Sequence, residues 1–107
     1  MVDGSKSIDD YINENKVMMF SKSYCPFCTQ AKNLLQQKGV EFFALELDQI
    51  PEGAQLQNAL AAKTKQRTVP NTFIGGVHVG GCDDTQAKAK NGVLKKLCDD
   101  AGVANKL

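Results

Sequence analysis

One segment, residues 16 to 48, limits the possible folds more than any other part of the chain. It begins with the apolar run KVMMFS, which predicts a strand covered on both faces. A helix follows, with Pro26 at a plausible first position and Gly39 at its C-terminal cap. A second strand is predicted in EFFALELD, residues 41–48. Because a helix joins the two strands, we expect them to be parallel neighbours in a right-handed crossover.

The flanking segments supply the remaining elements of an α/β fold. Helices are predicted over residues 5–15, where serines are available as caps, and over residues 52–63. The stretch TVPNTFIGGVHVGG, residues 68–81, predicts two strands joined at Gly75-Gly76 as a hairpin. Residues 82–102 predict one or two further helices. This order fits a small four-stranded mixed sheet that is covered by helices on both faces.

Length and charge restrict the class of protein. With 107 residues, the chain is expected to be a single domain, 1–107. A net charge of +1 produces no electrostatic field strong enough to attract nucleic acid or an anionic membrane. No stretch of the sequence resembles a membrane span. The N-terminus has no apolar signal segment and no arginine-rich transit character. The final residues, NKL, loosely resemble the peroxisomal address S-K-L, so peroxisomal targeting stays open.

These features together predict a cytoplasmic protein. In such a reducing compartment, the four cysteines are expected to be reactive or metal-binding rather than paired in structural disulfides. The function therefore has to be sought in a local site that contains cysteine.

The stretch YCPFC places two cysteines at the junction between the first strand and the following helix. Cys25 precedes Pro26, so its sulfur is expected at the helix N-terminus. There, unpaired backbone N–H groups and the helix dipole favour a thiolate over a thiol. Lys22 adds positive charge nearby. Since the thiolate is the nucleophilic form of cysteine, Cys25 is predicted to be the attacking thiol.

Helical periodicity predicts a different environment for Cys28. At roughly 100° per residue, Cys28 shares one helix face with apolar side chains: Phe27, Ala31, Leu34 and Leu35. We therefore expect Cys28 to turn inward and to act as the resolving thiol, while Cys25 stays exposed.

Zinc binding is the main alternative for a C-x-x-C pair. Structural zinc requires about four ligands. The remaining candidates are His78, Cys82 and Cys98, and none of them forms a second close pair of the usual ligand spacing. No metal site is expected on these grounds.

Three motifs, in the same order as in the family, give the chain a resemblance to the glutaredoxins. The motif KSYCPFC (residues 22–28) resembles the dithiol active site of that family. The motif RTVP (residues 67–70) resembles the family's loop before a strand, and GGCDD (residues 80–84) resembles its last glutathione-binding turn. Thioredoxin proper carries W-C-G-P-C, and this chain has no tryptophan. The C-G-F-S motif of monothiol glutaredoxins also differs from the C-P-F-C of this chain. The resemblance implies a thioredoxin fold with a dithiol C-P-F-C active site.

The resemblance also implies which residues bind glutathione: Lys22, Phe27, Gln57, Arg67, Thr68, Val69, Pro70, Gly81, Cys82, Asp83 and Asp84. By similarity to the family, Lys22, Gln57 and Arg67 receive the glycine carboxylate through charge and hydrogen bonds. Val69 precedes Pro70, which is cis in the family, and the Val69 backbone is expected to pair with the cysteinyl unit. Thr68 flanks the same binding position for the cysteinyl unit.

The GGCDD motif is expected to bind the opposite end of glutathione. Gly80 and Gly81 allow close approach, and the N–H groups of Cys82 and Asp83 bind the γ-glutamyl carboxylate at a helix start. Asp83 and Asp84 offer acceptors for the ammonium group. Phe27 replaces the tyrosine that is more common in the family and keeps an aromatic wall.

By this resemblance, the protein is a glutathione-dependent thiol-disulfide oxidoreductase. Cys25 attacks the glutathione sulfur of a glutathionylated protein, and Cys28 resolves mixed disulfides formed with protein disulfides. Glutathione is the reducing co-substrate, no cofactor is tightly bound, and the glutathione reductase system supports turnover indirectly. A monomer is expected. The alternative is an iron-sulfur carrier, formed as a dimer with glutathione as a ligand, although the proline after Cys25 weighs against it.

Several of these residues also have simpler explanations. Lys22 and Arg67 could be solvated surface charges, and the two aspartates could serve only as helix caps. Cys98 shares a helix face with Leu94, Leu97 and Ala101 and is expected in the core. For Cys82, which precedes a helix beside the proposed site, we consider a modestly lowered pKa and regulatory oxidation. His78 is assigned no function.

Overall fold

Residues 6–107, the part of the chain that the computed structural model describes, form four strands and five helices. The helices are α1 (Ile8–Glu14), α2 (Pro26–Gln37), α3 (Gly53–Thr64), α4 (Cys82–Asn91) and α5 (Val93–Asp100). The strands are β1 (Val17–Ser21), β2 (Phe43–Glu46), β3 (Asn71–Ile74) and β4 (Val77–Gly80). None of the helices in this part of the chain is long and apolar enough to cross a membrane.

The strands form one mixed sheet in the order β2-β1-β3-β4. β1 is parallel to β2, whereas β3 runs antiparallel to both β1 and β4. The predicted parallel pairing of the two strands joined by α2 and the predicted hairpin at Gly75-Gly76 are therefore confirmed, as is the four-stranded mixed sheet.

Strand β1 is buried along its whole length because the sheet has a core on each face. Met18 and Phe20 pack in one cluster with residues of α1 and α3, and Val17 and Met19 pack in the other with residues of α2, α4 and α5. On the first face, the Phe20 ring meets the Phe73 ring edge-on at 6.1 Å. This arrangement confirms helices on both faces and explains why KVMMFS is mostly apolar, with four consecutive apolar residues at its centre.

Several element boundaries differ from the sequence-based prediction. β2 ends at Glu46 rather than Asp48, because Leu47–Gln49 forms a 3₁₀ turn. Residues 82–102 form two helices, separated at Gly92 with a left-handed φ of 87°. The helix predicted from residue 5 begins at Ile8, with Ser7 as its cap, and residue 5 itself lies outside the described residues.

The strand register brings the three sequence motifs to one end of the sheet. Phe20 of β1 pairs with Asn71 of β3, and Thr72 pairs with Gly80 of β4. The cysteine motif follows β1, the RTVP loop precedes β3, and the glycine-rich turn follows β4. Pairing of these strand ends therefore assembles three segments that lie far apart in the chain.

Candidate active site

The Cys25 sulfur lies at the N-terminus of α2, as predicted. Cys25 is the N-cap residue, with an extended backbone, and Pro26 occupies the first helical turn. The backbone N–H of Cys28 points at the Cys25 Sγ, at 3.3 Å. The Val69 carbonyl oxygen lies 3.7 Å from the same sulfur. The sulfur therefore lies between the start of α2 and the Val69 backbone, in a position from which it can act as the attacking atom.

Cys28 is fully buried, whereas Cys25 is partly exposed. Burial raises the pKa of the Cys28 thiol above its ordinary value, and the backbone N–H of Lys22 partly opposes that effect. The predicted contrast between an exposed and an inward thiol is therefore confirmed. The prediction that Phe27 shares the inward face is wrong: its side chain is 58% exposed, while Ala31 and Leu35 are buried.

A groove of about 490 Å³ lies beside this pair of cysteines. It is lined by Phe27, Gln66, Thr68, Val69, Pro70, Gly81, Cys82, Asp83 and Asp84. The groove therefore brings together eight of the eleven residues expected to bind glutathione. The Val69-Pro70 peptide bond is cis, as expected from the resemblance.

Lys22, Gln57 and Arg67 do not line this groove. The Gln57 side chain donates a hydrogen bond to the Arg67 carbonyl oxygen at 3.0 Å, and the Arg67 side chain is exposed. Lys22 is half-buried in the turn before Cys25, and its carbonyl accepts from the Cys25 N–H at 3.1 Å. The proposed contacts of these residues with a glycine carboxylate stay predictions.

A polar contact that the sequence analysis did not identify fixes this turn. The Ser23 N–H donates to Asp48 Oδ1 at 2.9 Å, and the Ser23 hydroxyl donates to the same carboxylate. These two hydrogen bonds from Ser23, assisted by the charge of Lys22, lower the pKa of Asp48. The segment before Cys25 is thereby tied to the 3₁₀ turn after β2.

The other end of the groove is the N-terminus of α4. The Gly81 N–H donates to Asp84 Oδ2 at 3.2 Å, so Asp84 caps the helix. Gly80 has a φ of 112°, which L-residues rarely adopt. Asp83 is exposed in the first turn of α4. The capping role considered for Asp84 is present, and it leaves Asp83 the freer of the two carboxylates.

The environment of Cys82 and the pKa of its thiol differ from the sequence-based expectation. The residue is only 5% exposed, and burial, followed by the nearby charge of Asp83, raises the pKa of its thiol. The modest lowering considered for Cys82 is therefore wrong, because proximity to a helix start is outweighed by burial. Cys98 is in the core, as predicted, and burial raises the pKa of its thiol as well. Among residues 6–107, no three metal-ligating side chains cluster closely enough to hold an ion.

These buried thiols predict a loss of stability at alkaline pH. Their pKa values in the folded protein lie above the ordinary 9.0, so the unfolded chain releases these protons first as pH rises. Their contribution to stability is complete below pH 9 and is lost above it. Thermal unfolding in a reducing buffer between pH 7.5 and 10.5 should show a falling Tm. Cys98→Ala should be less stable throughout but should decline less steeply, and parallel curves would contradict this explanation.

A larger cavity, of about 610 Å³, lies at the other end of β1, around Val17, Gly39 and Val103. No cysteine or histidine lines it. We therefore assign the active site to the groove beside Cys25, where a nucleophile and a helix N-terminus face the same space.

Gln66 lines the groove although the sequence analysis did not identify it. Its neighbours in the sequence, Lys65 and Arg67, are charged surface residues, and a glutamine among them resembles ordinary surface. Its position directly before RTVP is the only sequence signal that could have indicated a role.

Comparison with known proteins supports the same assignment. The glutaredoxin family model matches residues 17–79. Glutaredoxin-C2 of Arabidopsis thaliana is 52% identical over 93 residues, which are 87% of this chain and 84% of that protein. A glutaredoxin of Ricinus communis is 50% identical over 93 residues, covering 87% of this chain and 91% of that protein.

Solved structures agree with this result. The crystal structure of a buckwheat glutaredoxin-glutathione complex matches with a TM-score of 0.87 at 42% identity, covering 89% of this chain and 86% of that one. The crystal structure of wheat glutaredoxin matches with a TM-score of 0.83 at 52% identity, covering 87% of this chain and 86% of that one. A C-x-x-C pair at a helix start on a thioredoxin fold defines a thiol oxidoreductase. The chain belongs to the glutaredoxin family, whose members are glutathione-dependent thiol oxidoreductases, and it is one of these enzymes.

Proposed function

We propose that this enzyme reduces protein-glutathione mixed disulfides and protein disulfides through Cys25. The observation that carries the proposal is the position of the Cys25 sulfur, which lies at the N-terminus of α2 and 3.7 Å from the Val69 carbonyl at the wall of the groove. A glutathione bound along Val69 would have its sulfur next to Cys25. Fixing two sulfur atoms in this way lowers the barrier to exchange.

The proposed reaction with a glutathionylated protein has two exchange steps. The Cys25 thiolate attacks the glutathione sulfur, so a Cys25-glutathione disulfide forms and the substrate sulfur leaves with the electron pair and takes a proton from water. The thiolate of a second glutathione then attacks the glutathione sulfur held on Cys25. Glutathione disulfide is released and the Cys25 thiolate is regenerated, so each turnover consumes one free glutathione, and the other half of the glutathione disulfide comes from the substrate.

Protein disulfides use Cys28 in this proposal. After Cys25 has formed a mixed disulfide with the substrate, Cys28 attacks the Cys25 sulfur, releases the second substrate thiol and leaves the Cys25–Cys28 disulfide. Its complete burial keeps Cys28 from meeting substrates directly. Burial also raises the pKa of Cys28, which makes it a slower second nucleophile than an exposed thiolate.

Two features of the groove support glutathione as its ligand. The N-terminus of α4, beginning at Cys82, presents backbone N–H groups that suit a carboxylate. Exposed Asp83 in the same turn offers an acceptor for an ammonium group. The buckwheat relative has been crystallised as a complex with glutathione.

Arg67→Ala is expected to slow reaction with a glutathione mixed disulfide by about three- to tenfold, because an exposed charge contributes a modest amount to carboxylate binding. The rate should be measured in a single turnover with reduced enzyme. The control substrate is the same peptide in a mixed disulfide with the glycinamide form of glutathione, in which the glycine carboxylate is replaced by an uncharged amide. We expect no change with the control, and equal slowing with both substrates would show that Arg67 does not recognise the carboxylate.

Steady-state turnover tests the proposed function as a whole. A glutathionylated peptide is supplied with glutathione, NADPH and glutathione reductase, and NADPH consumption is followed. We expect a rate proportional to enzyme concentration and well above that without enzyme. Absence of turnover would overturn the proposal, and a brown colour after anaerobic purification with iron and glutathione would then favour the iron-sulfur carrier.

We further propose that the enzyme acts as a monomer in the cytoplasm. None of its four cysteines is in a disulfide, which fits a reducing compartment. Size-exclusion chromatography and cell fractionation test these two points separately.

A further inference from the structure

The Gln66 side chain makes two hydrogen bonds across the cis-proline loop. Its amide nitrogen donates to the Thr68 carbonyl oxygen at 2.9 Å and to the Pro70 carbonyl oxygen at 2.9 Å. The carbonyl between them, that of Val69, lies 3.7 Å from the Cys25 Sγ. Both hydrogens of one amide group therefore hold the two peptide units that flank the contact with Cys25.

Gln66 is itself held by a partly buried polar network. Its backbone N–H donates to Thr64 Oγ1 at 3.1 Å, and that hydroxyl also accepts from Asn71 Nδ2 at 3.3 Å and donates to the Leu60 carbonyl at 2.8 Å. Asn71 is 1% exposed, and its Oδ1 lies 2.8 Å from His78 Nε2. The Thr64 hydroxyl thus uses its donor and both acceptor sites, which anchors Gln66 to the core.

The backbone before Gln66 adopts an uncommon conformation. Helix α3 ends at Thr64, and the next residue, Lys65, has a left-handed φ of 66° although it is not a glycine. Lys65 is the C-cap of α3, and its N–H donates to the Ala61 carbonyl oxygen at 2.8 Å, which fixes this conformation. This turn reverses the chain so that the Gln66 side chain faces residues 68–70.

The Gln66 amide also lies between the two walls of the groove. A Cβ placed on Gly81 would be 3.8 Å from Gln66 Nε2 and 3.6 Å from the Pro70 carbonyl oxygen. The amide group therefore lies near the turn that begins α4, beside the space that a side chain at residue 81 would occupy, and it is bonded to the cis-proline loop.

We propose that Gln66 is a positioning residue that sets the direction of the Val69 peptide and thereby aligns the glutathione sulfur with Cys25. This inference rests on the proposed function. Thr68 and Val69 form a bend before the cis bond to Pro70. Holding the carbonyls of Thr68 and Pro70 on one amide group restricts rotation of the Val69 peptide between them, and in this conformation the Val69 carbonyl oxygen lies 3.7 Å from the Cys25 sulfur.

The test compares Gln66→Met with wild type in the Cys28→Ser background, so that only Cys25 reacts. Methionine has a similar size and cannot donate a hydrogen bond. The same peptide is supplied as a mixed disulfide with glutathione or with cysteamine, and single-turnover rates are measured. We expect about a tenfold loss with glutathione, the effect of losing one to two hydrogen bonds, and little change with cysteamine.

Two further variants keep the test decisive. Gln66→Asn retains the amide but is too short to reach both carbonyls, and it should show a smaller loss of the same kind, which also serves if Gln66→Met does not fold. Gln55→Met, on an exposed position of α3, is the matched control and should leave both rates unchanged. Equal loss with both substrates, or none, would overturn the role of Gln66. If wild type shows no preference for glutathione, the proposed function fails instead.

Discussion

Cys25→Ser is expected to abolish reduction of a glutathionylated peptide, whereas Cys28→Ser is expected to retain most of it. The reason is the separation of the two thiols, since the Cys25 sulfur is partly exposed at a helix start and the Cys28 sulfur is fully buried. Loss of a nucleophile that forms the covalent intermediate should lower turnover more than about a thousandfold. Loss of the resolving thiol removes only the route through the Cys25–Cys28 disulfide.

Both rates are read from NADPH consumption with glutathione and glutathione reductase present. A peptide with an internal disulfide serves as the second substrate, and there Cys28→Ser should lose activity because no buried thiol can resolve the mixed disulfide. Circular dichroism should show the same secondary structure in both variants and in wild type. Equal loss in the two variants with the glutathionylated peptide would contradict the division of roles.

Gly53→Ala is expected to cause the largest loss of stability of any single methyl group added at a glycine within residues 6–107. A Cβ at Gly53 would lie 1.8 Å from the Leu47 carbonyl oxygen, far inside van der Waals contact. Leu47 is 3% exposed and packs in the core, so its backbone cannot move without displacing β2 or α3. We expect a loss of about 3 kcal/mol or more, and a fall in Tm of roughly 10–20 °C.

Gly81→Ala is the matched control for this substitution. Gly81 has a negative φ, and the nearest atom to an added Cβ would be 3.6 Å away, which is an ordinary contact. The free energy of unfolding of the Gly81→Ala variant should therefore stay within about 1 kcal/mol of the wild-type value. Thermal and urea unfolding of both variants measure the difference, and a similar effect of the two substitutions would show that the contact between Gly53 and Leu47 does not limit packing.

The sequence predicts the elements of this fold because the two strongest signals are local. An apolar run before a helix start, and a glycine pair between two strands, depend only on neighbouring residues, and both are confirmed. The boundaries that were wrong depend on tertiary contacts. β2 stops at Glu46 because Leu47 turns into the core, which no local pattern indicates.

The active site was predictable only in part for a similar reason. The positions of Cys25 and Cys28 follow from the order strand, cysteine, helix. Most of the residues that line the groove follow from the motifs. The exposure of Phe27 and the burial of Cys82 depend on how α2 and α4 pack, and both differ from expectation. Gln66 acts across a turn that requires a left-handed lysine, and neither pattern nor propensity predicts that conformation.

The most direct test of this account is to find where the glutathione goes. Reduced Cys28→Ser enzyme is mixed with one equivalent of a glutathionylated peptide, without free glutathione, and the products are analysed by intact mass and peptide mapping. We predict one glutathione on Cys25 and one equivalent of free peptide thiol. Attachment of the peptide to Cys25, transfer of glutathione to Cys82 or Cys98, or no transfer would contradict a groove that presents the glutathione sulfur to Cys25.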